Sequence, residues 1–280
     1  MELKLFSEEH LLLTCFSQTQ SVEDQKTLVD VGAHHGSFSK NFADKGWQVI
    51  AFEPEENNRA AFQENLKEYP QVTCIPKAVS DEAGKKVPFY VSEEHFGIHS
   101  LKPWHDTHEL AYEVETVRLD SVLSELQVPN VTLLKVDTEG ADFLALKGFD
   151  WDKYHPELVM IEFSDDRTLP NFNYTHHDVV EFMEKRGYVA FVSEWDEIKE
   201  YGRQGVVQEP HTWLQCVPYP VDHQPAWGNL IFVPTNDSSK FINLLNSYLS
   251  QLEKQQKQGV FRKLIKKIPG ATYLYRSFKH

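Results

Sequence analysis

Residues 28–39 constrain this chain more than any other stretch. Leu28, Val29 and Val31 form an apolar run broken by Asp30, glycines stand at 32 and 36, and Phe38 and Phe42 follow at i,i+4 spacing. The pattern reads as strand, tight loop and helix, the opening of a nucleotide-binding βαβ unit. Glycine serves where a backbone turns sharply or comes close to a ligand, and the next helix aims its first N–H groups back at the loop. Residues 48–52 read as a second strand ending in Glu53, 21 residues after Gly32. An acid at about 20 residues from such a turn accepts hydrogen bonds from ribose hydroxyls.

The loop is not a full G-x-G-x-x-G fingerprint. It reads Asp30-x-Gly32-x-x-x-Gly36, with His34 where a middle glycine would stand. A pyrophosphate needs the close backbone approach of that glycine; a ligand without phosphates does not. The pattern therefore favours S-adenosylmethionine over a nicotinamide dinucleotide. An ordinary βα turn would explain the two glycines alone, and the spacing of Glu53 weighs against it.

Elsewhere strands alternate with helices. Residues 8–18 predict a packing helix with Leu11, Leu12, Cys15 and Phe16 on one side. A helix starts at Pro54 with Phe62 and Leu66 facing inward, and others cover 141–147 and 175–186. Strands are expected at 71–75, 85–91, 113–118, 131–136 and 157–163, with a closing pair at 188–193 and 228–233. This alternation implies an α/β fold with a mostly parallel sheet. The loop between the 85–91 and 113–118 strands has no period but carries His95, His99, Ser100, Trp104 and His105, a composition that suggests function. No apolar run approaches the roughly 18 residues of a membrane span, and no signal peptide opens the sequence. Three widely spaced cysteines, Cys15, Cys74 and Cys216, fit reduced thiols, and a cytoplasmic protein is expected. Net charge is −14, yet from Lys254 onward there are eight Lys/Arg and no acid, which leaves −22 for the first 253 residues. Such a body is a poor surface for nucleic acid.

Three stretches together resemble the FkbM family of S-adenosylmethionine-dependent methyltransferases. They are the loop from Val29 to Ser39, the turn from Ala78 to Gly84, and the run from Leu134 through Asp137, Thr138, Glu139 and Gly140 to Asp142 with Leu146-Lys147-Gly148. The resemblance covers about residues 27–235. It implies a class I (Rossmann-like) fold: seven strands, mostly parallel, the last hairpin antiparallel, helices on both faces. Residues 1–26 then form a leading helix, and 236–280 a C-terminal helix and basic tail. The activity implied is O-methylation of a hydroxyl on a sugar, glycan or natural-product small molecule. The family loop usually has Asn at the position of His34.

Ligands of open α/β sheets sit at the carboxyl ends of the strands. The acids there are Asp30, Glu53, Asp137, Glu139 and Glu162. Glu53 is expected on the ribose. Asp30 either holds loop N–H groups, contacts the methionine ammonium, or is structural; Gly32, His34 and Gly36 belong to the same cofactor loop. By analogy with the fold, Val79 and Ser80 lie against the adenine. Asp137 is near the transferred methyl group, and an attacking alcohol needs a base or a metal ion to take its proton. Asp137 is the first candidate and Glu139 the second, with magnesium left undecided; helix capping is the competing role for both. His99 and Ser100 are candidates to meet the acceptor, His99 with a catalytic part. The pairs His34-His35 and His176-His177 lack the usual ligand spacing, so no zinc site is expected. Trp195, Trp213 and Trp227 either stack on sugar or anchor the late insertion. In the tail, Val260, Phe261, Leu264, Ile265 and Ile268 oppose Arg262, Lys263, Lys266 and Lys267, as for contact with an anionic membrane, a partner or the acidic body. A non-catalytic cofactor-binding or interaction module is the alternative function.

Overall fold

The computed structural model describes residues 6–17, 25–95, 97–198, 200–203 and 211–266, with side chains as far as residue 257. Helix α1 (Glu8–Ser17) precedes β1 (Thr27–Val31), α2 (Ser37–Ala43), β2 (Gln48–Phe52), α3 (Glu56–Asn65) and β3 (Val72–Ile75). Three strands follow, β4 (Ala78–Val79), β5 (Lys86–Val91) and β6 (Glu109–Val117), then α4 (Leu119–Glu125), β7 (Leu133–Val136) and α5 (Asp142–Lys147). The chain continues through β8 (Leu158–Phe163), α6 (Asp165–Phe172), α7 (His176–Glu184), β9 (Tyr188–Trp195), β10 (Trp213–Pro218), β11 (Trp227–Pro234) and α8 (Ser238–Lys266).

The central sheet runs in the order β10-β9-β11-β8-β7-β1-β2-β3. The five strands from β8 to β3 are parallel, and β11, β9 and β10 are joined antiparallel at the other end. This is the class I methyltransferase arrangement with one correction to the expected seven strands. The late insertion folds back as β10 on the outer edge of β9, making eight. Its register shifts between Trp213 and Gln215, and such irregularities are common at sheet edges.

Buried parallel strands need apolar residues on both faces, and β1, β2, β7 and β8 supply them alternately. Val29, Val31, Ile50, Phe52, Leu134, Val136, Val159 and Ile161 pack with α4, α5 and α7. Leu28, Val49, Ala51, Leu133, Leu158 and Met160 pack with α1, α2, α3 and α8. The leading helix and the C-terminal helix thus share one core with the sheet: Leu11, Leu12, Cys15 and Phe16 of α1 join Phe241, Leu244, Leu245 and Tyr248 of α8. Trp213 is an anchor in that core, its ring stacked 3.9 Å from Phe6. Trp195 donates to Glu8 and Trp227 to the Asp196 carbonyl. A second sheet, β4-β6-β5, stands beside the parallel strands. Among the described residues no helix is long and apolar enough to cross a membrane. The apolar and basic side chains of residues 260–268 lie outside the described ones.

Candidate active site

Strand order reverses between β1 and β7, since β2 and β3 lie on one side of β1 and β7 and β8 on the other. A crevice opens at the carboxyl ends of the strands at such a switch point. A cavity of about 410 Å³ lies there, lined by Gly32, His34, Glu53, Val79, Asp137 and Glu139 among others. That volume falls within the range of small-molecule sites.

Gly32 follows β1 with φ +76°, and a Cβ on it would stand 1.8 Å from the Asp137 carbonyl oxygen. Only glycine lets the two strand ends approach so closely. Lys135, buried on β7, donates to the Gly32 carbonyl at 2.9 Å and lies 3.3 Å from both Asp30 and Asp137. Burial alone would lower Lys135, but the carboxylates of Asp137 and Asp30 outweigh it and hold the ammonium above the ordinary lysine range. Asp30 is fully buried; its other oxygen accepts from the Ser39 hydroxyl at 2.6 Å. It ties α2 and β7 to β1 and does not line the cavity, which gives it a structural part here. Gly36 caps α2 with φ +79°, where a Cβ would strike Leu66 and Phe62. It serves helix packing and likewise stands away from the cavity.

His34 has φ +49°. Asn and His are both enriched among non-glycine residues in the left-handed region, which accounts for His where the family usually has Asn. The His34 backbone N–H donates to one oxygen of Glu53 at 2.8 Å, and that of Glu55 to the other at 2.8 Å. Burial pushes the Glu53 carboxyl up to about 7, although those two bonds pull it down. Desolvation lowers the His34 imidazole to about 4, keeping it neutral near pH 7.

On the opposite wall, Asp137 ends β7 with its side chain 40% exposed. Neither it nor Glu139 caps α5. Asp142, the first residue of α5, accepts instead from the backbone N–H groups of Thr138 at 2.7 Å and Gly140 at 2.9 Å and from the Thr138 hydroxyl, so it fastens the turn that precedes the helix. Its bonds hold Glu139 in a left-handed conformation, φ +58°. The Glu139 carboxylate pairs with Arg167 of α6, which also pairs with Glu162 at the end of β8. Burial raises Glu139 and Glu162; Arg167 opposes the rise and neighbouring carboxylates reinforce it.

The irregular loop docks here. Ser100 donates to the Glu139 carbonyl at 2.9 Å, and Trp104 faces the Arg167 guanidinium at 5.2 Å. His99 lines the cavity and its Nδ1 accepts from the Ser92 N–H at 3.2 Å. That bond assigns the ring proton to Nε2, and burial lowers its pKa. His99 is therefore a neutral donor, which corrects its expected catalytic part: the nitrogen that could accept a proton is taken. Val79 reaches the cavity, whereas Ser80 does not line it. Ser80 is spent in the backbone, donating to Val117 and lying against Gly148.

Sequence reasoning missed Lys135, Arg167 and Glu9. Lys135 carried a signal, a charge inside an otherwise apolar strand; Arg167 lay in a segment with no assigned element. Asp137, Glu139 and Glu162 offer carboxylate oxygens within 4.8 Å of one another, a spacing suited to a divalent cation. The Arg167 guanidinium already bonds two of the three, so the set does not fit a magnesium ion without expelling a buried side chain.

Among proteins of known sequence, this chain is 26% identical over 199 residues to Methyltransferase 1 of Beauveria bassiana (strain ARSEF 2860), spanning 60% of this chain and 76% of that protein. Its fold is similar to precorrin-6y C5,15-methyltransferase from Geobacter metallireducens GS-15, with TM-score 0.41, 14% identity, and 82% and 92% of the two chains covered. It is also similar to magnesium protoporphyrin IX methyltransferase from Synechocystis PCC 6803, with TM-score 0.38, 11% identity, and 81% and 80% covered. Likenesses this loose say nothing about what this chain methylates. The Methyltransferase FkbM domain, by contrast, matches residues 30–190, more than half of the chain and both walls of the cavity. The chain belongs to the FkbM methyltransferase family.

Proposed function

We propose that this chain transfers a methyl group from S-adenosylmethionine to a hydroxyl of a sugar or other hydroxylated small molecule. The observation that carries this reading is a single cavity with Glu53 on one wall and the half-exposed Asp137 on the other. The residues fit the cofactor. A carboxylate has about four acceptor sites; backbone N–H groups occupy one on each Glu53 oxygen, which leaves acceptor capacity for ribose hydroxyls. Phe52, Val79 and Phe89 give an apolar lining suited to a purine.

When bound, S-adenosylmethionine supplies an electrophilic methyl group. The chain's own part is to place a hydroxyl in line with it, to exclude water and to receive the hydroxyl proton. Asp137 receives that proton in this reading, being the accessible carboxylate on the β7 side. Lys135 fixes its direction at 3.3 Å, and Arg167 holds Glu139 and Glu162 in place. The loop adds His99 to the cavity wall as a neutral donor, which suits a hydroxylated acceptor.

The test uses S-adenosylmethionine with a panel of hydroxylated acceptors, with and without EDTA. Asp137→Asn is expected to keep its affinity for S-adenosylhomocysteine within about threefold and to lose about 10²–10⁴-fold in turnover. EDTA is expected to change nothing. Turnover surviving in Asp137→Asn would remove the base assignment. Tight binding of S-adenosylhomocysteine with no acceptor methylated would favour the non-catalytic module.

A further inference from the structure

Resting on the cofactor reading above, we infer that Glu9, on the leading helix and outside the segment matched by the family, is the residue that receives the α-ammonium of the cofactor's amino-acid end. Asp30 is the acid near the end of β1. An acid ending β1 is the obvious partner for that ammonium, yet here it is fully buried and engaged by Ser39 and Lys135. A carboxylate for the ammonium would have to come from elsewhere on the β1 side of the cavity.

Glu9 lines the same cavity as Gly32, Phe38 and Lys135. Its carboxylate is fixed by a hydrogen bond from the Asn41 amide of α2. It stands near enough to Asp30 and Lys135 for both charges to act on it. The helix that presents it is pinned independently. Glu8 accepts from the Ser193 hydroxyl and the Trp195 indole at 2.7 Å each, and the Tyr248 hydroxyl of α8 donates to the Ser7 carbonyl at 3.2 Å. Two adjacent acids on α1 thus have separate jobs: Glu8 holds the helix to the sheet, and Glu9 faces the cavity. Around Lys135 stand three carboxylates, Asp30, Asp137 and Glu9, so this end of the cavity holds more acid than base and favours a cationic group. Burial, reinforced by Asp30, pushes Glu9 up to about 7, as expected of a carboxyl lacking a full counter-charge.

The experiment measures Kd by calorimetry on the full chain for three ligands: S-adenosylhomocysteine, its des-amino analogue, and 5′-methylthioadenosine, which lacks the amino-acid end. Glu9→Gln is expected to weaken S-adenosylhomocysteine about tenfold while leaving the other two unchanged, and Glu9→Asp to recover part of the loss. The des-amino analogue should bind the unmodified chain about as weakly as Glu9→Gln binds S-adenosylhomocysteine. Equal weakening of all three ligands in Glu9→Gln would reduce Glu9 to a packing role and overturn the inference. So would an unchanged Kd, or an ammonium-specific loss in Asp137→Asn with none in Glu9→Gln. Failure of the unmodified chain to bind S-adenosylhomocysteine or 5′-methylthioadenosine would overturn the cofactor reading, and the assignment of Glu9 with it.

Discussion

At the scale of residues, the site is built on two non-glycine positions where the backbone is left-handed. His34 at φ +49° turns its N–H toward Glu53, and Glu139 at φ +58° is held by Asp142 and Ser100. His34→Asn should leave stability within about 0.5 kcal/mol of the unmodified chain, because Asn tolerates this region. A β-branched His34→Val should cost about 1–2 kcal/mol in urea denaturation. Gly32→Ala is a harsher change: its Cβ would meet the Asp137 carbonyl at 1.8 Å. It should cost at least about 2 kcal/mol and abolish ligand binding by prising β1 from β7. Gly32 and Glu53 were legible in the sequence because a turn glycine and an acid about 20 residues on form a local pattern. The job of Asp30 was not. Its partner Lys135 is 105 positions away and meets it only because β1 pairs with β7, so no local spacing separates a ligand-binding Asp from a structural one.

At the scale of elements, β1, β2, β7 and β8 were readable because burial on both faces makes them apolar runs with at most one charge inside. The elements that escaped are short or interrupted. Helix α6 spans eight residues with Pro170 inside it, and β10 ends in Pro218 within an insertion that reads as irregular. Yet α6 brings Arg167 to Glu139 and Glu162, tying the ends of β7 and β8 together. Arg167→Met should destabilise the chain by about 3–5 kcal/mol, since two buried carboxylates would lose their counter-charge. A second change at Glu139 and Glu162 to Gln should recover much of that loss. Helix α1 packs through Leu11, Leu12, Cys15 and Phe16, but its acids carry information that apolar spacing does not. Glu8→Ala should cost about 2–3 kcal/mol by leaving the Ser193 hydroxyl and Trp195 indole unsatisfied, and it should also weaken S-adenosylhomocysteine by freeing the helix that presents Glu9.

At the scale of the whole molecule, the eight-stranded sheet with helices on both faces carries an acid-rich cavity at its switch point, and the termini of the described chain pack on the face that includes α2 and α3. Glu9 and Glu53 are both pushed up to about 7 from an ordinary value of 4.5. Between those values the folded chain binds more protons than the unfolded one, so this contribution to stability is complete below about pH 4.5 and is lost as pH rises toward 7 and beyond. Thermal melts of the ligand-free protein should show that loss, and Glu53→Gln should flatten it. A ligand that donates hydroxyls to the Glu53 carboxylate reverses the preference, and its affinity should fall as pH drops below 7. The measurement that bears most directly on the account is therefore calorimetric titration with S-adenosylhomocysteine at pH 8 and pH 6, on the unmodified chain and on Glu53→Gln, with NADH as the comparison. The account predicts one site per chain, weaker at pH 6, weakened roughly 30- to 100-fold by Glu53→Gln, and no binding of NADH. Binding of NADH instead, or S-adenosylhomocysteine affinity indifferent to Glu53, would contradict it.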